Sequence, residues 1–351
     1  MKKVFLLAGL AIFFLTILSW ADIAAEKTIA TGKQPQITAD AKGIIRIVYG
    51  EGDKIYCTTS SDKGNSFSDA VMVAEVPSMH LGMARGPQLA SSANYSVITA
   101  MDKSGNIHWF RLDHSTNQWK SMGNVNHENN SAPEGLMGLT ADKNDHFYAV
   151  WLNLGSKKHS DIYFSDLSGQ SDRWSINKML YQSPDLHVCE CCKPGIAVRG
   201  SEVAVMFRNW LNGSRDLYVM KSLNRGKTFS PAEKIGRGTW KLNGCPMDGG
   251  GVLVNTATRI ETAWQRKGTV YYCRQGQPEI SVGEGRTCSI SEWKAQTVIT
   301  YQAKDTLKLV TIKDMKTQIV GNGGFLKSAA LPDDKILCVW EQDNKIKFKR
   351  I

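Results

Sequence analysis

The chain has 351 residues, of which 42% are hydrophobic in type and 22% are charged, and its formal net charge is +10. That balance is too apolar for a disordered segment. The Lys and Arg residues form no basic run, so the excess charge reads as a solvated basic surface and not as a nucleic-acid-binding stripe.

Met1-Lys2-Lys3 is a basic start, followed by an unbroken apolar stretch from Val4 to about Trp20 and a small-residue exit at Ser19-Trp20-Ala21. Together these describe a secretory signal peptide over residues 1–21. Its removal takes Lys2 and Lys3 away and leaves a charge of +8. An uncleaved anchor is the alternative, since the run approaches the ~18 residues that span a bilayer. No Cys follows the run, so lipid attachment is not indicated. No later stretch is long and apolar enough to cross a membrane, so no membrane contact is expected beyond the signal segment. The protein is therefore expected in the periplasm or outside the cell, where disulfides can form. Residues 22–351 contain no linker and no low-complexity stretch, and read as one repeat-built domain.

Helical periodicity is almost absent. Short β-branched and aromatic runs recur instead, separated by Gly, Asn, Asp and Ser turns, the pattern of an antiparallel β protein. Paired second and third strands fall at 44–49 and 54–57, 95–99 and 106–110, 146–151 and 161–164, and 203–207 and 216–219. Three further pairs follow at 259–264 and 269–272, 297–301 and 307–310, and 336–340 and 345–348. The spacing of about 45 residues is that of propeller blades of four antiparallel strands. Seven units are counted, or six if one blade has been split. Unit seven ends after three strands, and Lys27-Thr28-Ile29-Ala30 can supply its fourth, closing the ring by pairing the two ends of the chain and removing two sheet edges.

Between the third and fourth strands of unit one lies Ser60-Ser61-Asp62-Lys63-Gly64-Asn65-Ser66-Phe67, and unit four carries Ser222-Leu223-Asn224-Arg225-Gly226-Lys227-Thr228-Phe229 at the same place. An Asp or Asn side chain can cap the amides of its own turn, and Gly tolerates positive φ there. Both segments resemble the Asp-box, Ser-x-Asp-x-Gly-x-Thr-Trp, of the sialidase superfamily of propellers. In the second copy, Asn224 stands where that box has Asp. The resemblance implies a structural role for Ser60, Asp62, Gly64, Phe67, Ser222, Asn224, Gly226 and Phe229, on the face away from an active site. For a sialidase it would also imply an arginine triad, a Tyr nucleophile paired with Glu, and an Asp acid. Arg85, Arg286, Asp248 and Tyr301 are the candidates for those roles. The Arg-Ile-Pro start of that family is absent, no Tyr–Glu pair can be assigned, and sialidases have six blades.

In a propeller, the crossovers between blades and the loops joining second to third strands emerge on one face, near the axis. Reading the crossovers in order gives Met79-His80-Leu81-Gly82-Met83 with Arg85, then His127-Glu128 with Glu134 and Met137. His187-Val188-Cys189-Glu190-Cys191-Cys192-Lys193-Pro194 follows, then Cys245-Pro246-Met247-Asp248 and Arg286-Thr287-Cys288. Thiolate, thioether and imidazole together select soft or borderline metals. Copper is the expected ion and zinc the alternative, with Cys189, Cys191, Cys192, Cys245 and Cys288 as ligands and His80, Met83, His187 and Met247 as further candidates. The doubled Cys-x-x-Cys spacing of structural zinc is missing, as is the Cys-x-x-Cys-His of covalent haem.

Other readings of the same residues stand beside this one. The five crossover cysteines could form two disulfides and leave one thiol, and adjacent Cys191 and Cys192 could bridge each other as a reducible pair. The methionines could fill gaps, and Cys57, Cys273 and Cys338 read as buried strand residues. The functional expectations are an exported soft-metal-binding propeller, a glycan-acting enzyme of sialidase type, or a non-catalytic scaffold for a glycan or an exported protein partner.

Overall fold

A computed structural model describes residues 25–155 and 159–351; the segment read as a signal peptide lies outside the described residues. The chain forms seven four-stranded antiparallel sheets, each a consecutive meander except the last. Blade one comprises Lys33–Ala39, Ile45–Glu51, Lys54–Ser60 and Val71–Glu75, and blade seven comprises Gly324–Ala330, Ile336–Gln342 and Lys345–Arg350. The fourth strand of blade seven is Lys27–Thr31, which pairs antiparallel with Lys345–Arg350. The ring is thus closed by the two ends of the chain, as expected from the sequence. First strands of neighbouring blades lie side by side all the way round, including those of blades seven and one.

The strand sequences follow from this geometry. A second strand is covered on both faces by adjacent blades, so it reads as a near-continuous apolar run. Ile45–Glu51 and His146–Asn153 are buried along almost their whole length. Outermost strands have one face and one edge in water, and Gln118–Asn124 is accordingly polar and mostly exposed. The core is divided into wedges between blades. In one of them Trp109 of blade two meets Trp174 of blade three edge-on, with ring centroids 6.0 Å apart.

The two turns that resemble the Asp-box lie between third and fourth strands and are built alike. The Gly64 N–H donates to Ser60 Oγ at 2.9 Å, and the Asn65 and Ser66 amides donate to Asp62 Oδ1 at 3.0 Å. In the second turn the Gly226 N–H donates to Ser222 Oγ at 2.9 Å and the Thr228 N–H to Asn224 Oδ1 at 2.9 Å. Asn224 keeps the acceptor that Asp62 supplies, which is why the substitution is tolerated. Each turn then sends its aromatic residue under the sheets, Phe67 edge-on to Phe348 and Phe229 edge-on to Phe164.

Gly226 has a φ of +77°, and a Cβ there would lie 2.5 Å from the Phe164 ring. Gly226→Ala combines a left-handed backbone with a clash, so it should lower stability by about 1–3 kcal/mol. A denaturant midpoint equal to that of the unchanged protein would show that this turn does not constrain blade four.

Candidate functional site

The crossovers meet at the channel mouth on the face opposite the Asp-box turns. A cavity of about 50 Å³ is lined by Met83 from the first crossover, Cys191 and Lys193 from the third, and Met247 and Asp248 from the fourth. Thr287 and Cys288 from the start of blade six and Lys327 from blade seven complete it. Segments more than two hundred residues apart in sequence therefore share one rim.

The sulfur atoms concentrate on one side of that rim. Cys189 Sγ lies 3.1 Å from Cys192 Sγ and 3.6 Å from Cys191 Sγ, and the Cys191 and Cys192 sulfurs are 4.0 Å apart. Cys191 is bonded to Cys245, 54 residues away, with Cα atoms 6.2 Å apart, so this bridge ties the third crossover to the fourth. Cys245 is exposed, whereas Cys189 and Cys192 are buried. Cys288 is packed among Ala263, Ile299 and Tyr301 at the junction of blades five and six, outside the sulfur trio.

Two arginines provide the positive charge at this cluster. Arg215 Nη1 donates to Cys189 Sγ at 2.9 Å, and its guanidinium stacks on Trp210. Arg208 is buried and donates only to backbone carbonyls, those of Asp248, Arg215 and Gln265. Among the described residues neither makes an ion pair with a carboxylate. The hydrogen bond with Cys192 and the charges of Arg215 and Arg208 pull the Cys189 thiol down to about 6 against its burial. Burial and the neighbouring Cys189 push Cys192 well above the ordinary thiol range. The two thiols titrate as a coupled pair, with Cys189 displaced toward the acidic side and Cys192 toward the basic side.

Backbone packing holds the third and fourth crossovers together. A Cβ on Gly249 would lie 1.8 Å from the carbonyl oxygen of Lys193, so the two loops are in direct main-chain contact. Lys193 reaches the channel and donates to Gln88 Oε1. Burial and the charge of Lys327 lower its ammonium to about 7.

The remaining sequence candidates are placed as follows. His80 faces Pro133, its Nε2 2.9 Å from that carbonyl oxygen, and burial lowers its pKa below the usual imidazole value. Met83 and Met247 are exposed at the rim. Arg85 donates to the Glu134 carbonyl oxygen at 2.6 Å and lies 3.7 Å from its carboxylate. Arg286 is exposed. The Asp248 carboxylate accepts from the amides of Thr287 and Gly250. Tyr301 is buried in the core and does not line the cavity.

His187 belongs to a second cluster that the crossovers alone do not reveal. One ligand atom from each of His159, His187 and Glu190 lies within 4.8 Å of the other two. His159 is on the loop between the second and third strands of blade three, and Trp210 and Arg215 are on the corresponding loop of blade four. These loops share the face with the crossovers, and reading them alongside the crossovers is the signal that would have found all three.

No protein-family model matches the chain, and no curated protein matches it. Solved structures match by shape. An ulvan lyase of polysaccharide lyase family 25 aligns at TM-score 0.58 and 11% identity, covering 92% of this chain and 94% of that one. Virginiamycin B lyase from Staphylococcus aureus aligns at TM-score 0.56 and 11% identity, covering 93% and 98%. A Streptococcus pneumoniae sialidase aligns at TM-score 0.45 and 12% identity, covering 91% and 68%. At these identities the likeness shows the β-propeller fold alone.

The thiol pair makes a measurable prediction. Thiolate absorbance near 240 nm should appear in the native protein with a midpoint near pH 6 and be absent in Cys189→Ser. The folded thiol is more acidic than the unfolded one, so this group adds stability as pH rises from about 6 to about 9, and the contribution disappears as pH falls through 6. Absence of thiolate absorbance below pH 8 would remove Arg215 as its stabilising partner.

Proposed function

We propose that this protein is an exported propeller of the Asp-box superfamily that binds a soft metal ion, copper(I), at a thiolate site on the channel mouth. The observation that carries the reading is the sulfur trio beside two arginines that have no carboxylate partner among the described residues. A metal–sulfur distance of ~2.3 Å places tetrahedral thiolates ~3.8 Å apart; the free pair, Cys189 and Cys192, stands 3.1 Å apart, and Cys191, bonded to Cys245, lies 3.6 and 4.0 Å from them. Thiolates around a monovalent ion leave net negative charge, which Arg208 and Arg215 offset where burial would otherwise disfavour it. Zinc has the same geometric fit, and the preference for copper rests on softness: a set of sulfurs with thioethers at the rim suits Cu(I).

In this reading Cys189 and Cys192 are the permanent ligands. Cys191 joins them when its bridge to Cys245 is reduced, and Met83 and Met247 stand at the entrance. The disulfide and the basic, hydrophobic start of the chain both favour export. A glycosidase reading draws no comparable support, since Arg85 is turned to Glu134 and Tyr301 is buried away from the cavity.

Native mass spectrometry of the reduced, untagged protein titrated with Cu(I) under nitrogen tests the reading. One equivalent should bind and resist a moderate chelator, and Cys189→Ser/Cys192→Ser should weaken binding at least a hundredfold. Retention of full stoichiometry and affinity by that double variant would end the assignment. Tighter binding of zinc than of copper in the same assay would keep the site and change the ion.

A further inference from the structure

We propose that His159, His187 and Glu190 form a second ligand set, separate from the thiols, for a divalent borderline ion such as Cu(II) or Zn(II). The three side chains come from two loops on the channel-mouth face. His159 is on the loop entering Asp161–Ser168, and His187 and Glu190 are on the crossover into blade four. Their donor atoms all lie within 4.8 Å of one another.

Neighbouring groups hold these side chains in place. His187 Nδ1 lies 3.2 Å from the Val188 carbonyl oxygen. A proton on Nδ1 donates there and leaves the Nε2 lone pair free, the arrangement by which a second partner fixes the tautomer of a ligating histidine. The Ser160 N–H donates to Glu190 Oε1 at 3.3 Å and holds the carboxylate toward the histidines. His187 stacks with His159, at 5.0 Å, and with Trp210, at 5.5 Å. His159 Nδ1 and Glu190 Oε1 are 3.8 Å apart, longer than a hydrogen bond. Four-coordinate metal–nitrogen and metal–oxygen bonds of ~2.1 Å would place such donors ~3.4 Å apart, so small side-chain rotations bring the set onto one ion.

The chemistry distinguishes this set from its neighbour. Two imidazoles and a carboxylate suit a divalent zinc or copper ion, whereas thiolates suit the monovalent one. The His159 and Glu190 side chains are 44% and 38% exposed, so an ion can arrive directly from solvent. Cys189 and Cys192 lie behind the surface. The inference does not depend on copper binding at the thiols, because it uses different atoms and a different oxidation state.

The test uses the full mature chain carrying Cys189→Ser/Cys192→Ser, kept in air so that the Cys191–Cys245 bridge stays closed. Titration with Cu(II) should give one bound equivalent with a type-2 electron paramagnetic resonance signal split by nitrogen. Adding His159→Ala or His187→Ala should weaken binding at least tenfold and reduce the splitting. Failure to bind Cu(II), or an unchanged affinity and splitting after both histidine changes, would overturn the proposal. Should the cysteine variant fold poorly, the unchanged protein provides a second readout through diethylpyrocarbonate modification. Zn(II) should protect His159 and His187 selectively, and equal labelling with and without zinc would count against the site. Loss of Cu(I) binding at the thiols with this signal retained would sink only the earlier reading.

Discussion

A β-sheet strand with an unpaired edge invites association with other chains, and a ring of sheets avoids that only by closing. Here closure falls to Lys27–Thr31, which completes blade seven against Lys345–Arg350. Everything described at the channel mouth depends on that pairing. The crossovers are brought to a common rim because seven first strands stand side by side without a gap. An open meander would leave Met83, Cys191 and Lys327 on separate edges.

Within the ring, the polar centre is held by main-chain chemistry more than by ion pairs. Arg208 sits at the end of a fully covered strand and donates to three different carbonyl oxygens, two of them beyond its own blade. A buried guanidinium that uses backbone acceptors leaves its charge available to other groups. The hydrogen bond with Cys192 does most to make the Cys189 thiol acidic where burial alone would make it basic, and the charges of Arg215 and Arg208 add to it. Structure and electrostatics therefore share one residue: the arginine that fixes the loop also helps to lower the pKa of its sulfur.

The architecture was legible because it is written in repetition. Period-2 runs bounded by turns recur at blade spacing, and the Asp-box turns mark the third-to-fourth-strand connection twice with the same offsets. The seventh unit's missing strand was legible for the same reason. The site was only partly so. Sequence order located the sulfur-bearing crossovers, but which sulfur meets which depends on loop conformation, and Cys191 pairs with Cys245 while Cys288 is absorbed into packing between blades. Nothing local distinguishes those outcomes, since all are short segments rich in small residues. His159 escaped because it lies on a hairpin loop, and that class of loop reaches the same face by a different route. Arg85 and Tyr301 resembled catalytic side chains by type and position along the repeat, and only three-dimensional neighbours show one bound to Glu134 and the other enclosed.

The main-chain contact at Gly249 has a consequence for how this part of the molecule can change. With 1.8 Å between a notional methyl group and the Lys193 oxygen, no other amino acid fits there without parting the two loops. Together with the Cys191–Cys245 bridge, this contact joins the third and fourth crossovers at two points. A side chain at position 249 would therefore be felt at the sulfur cluster, because the backbone it displaces leads directly into Cys191 and Cys192.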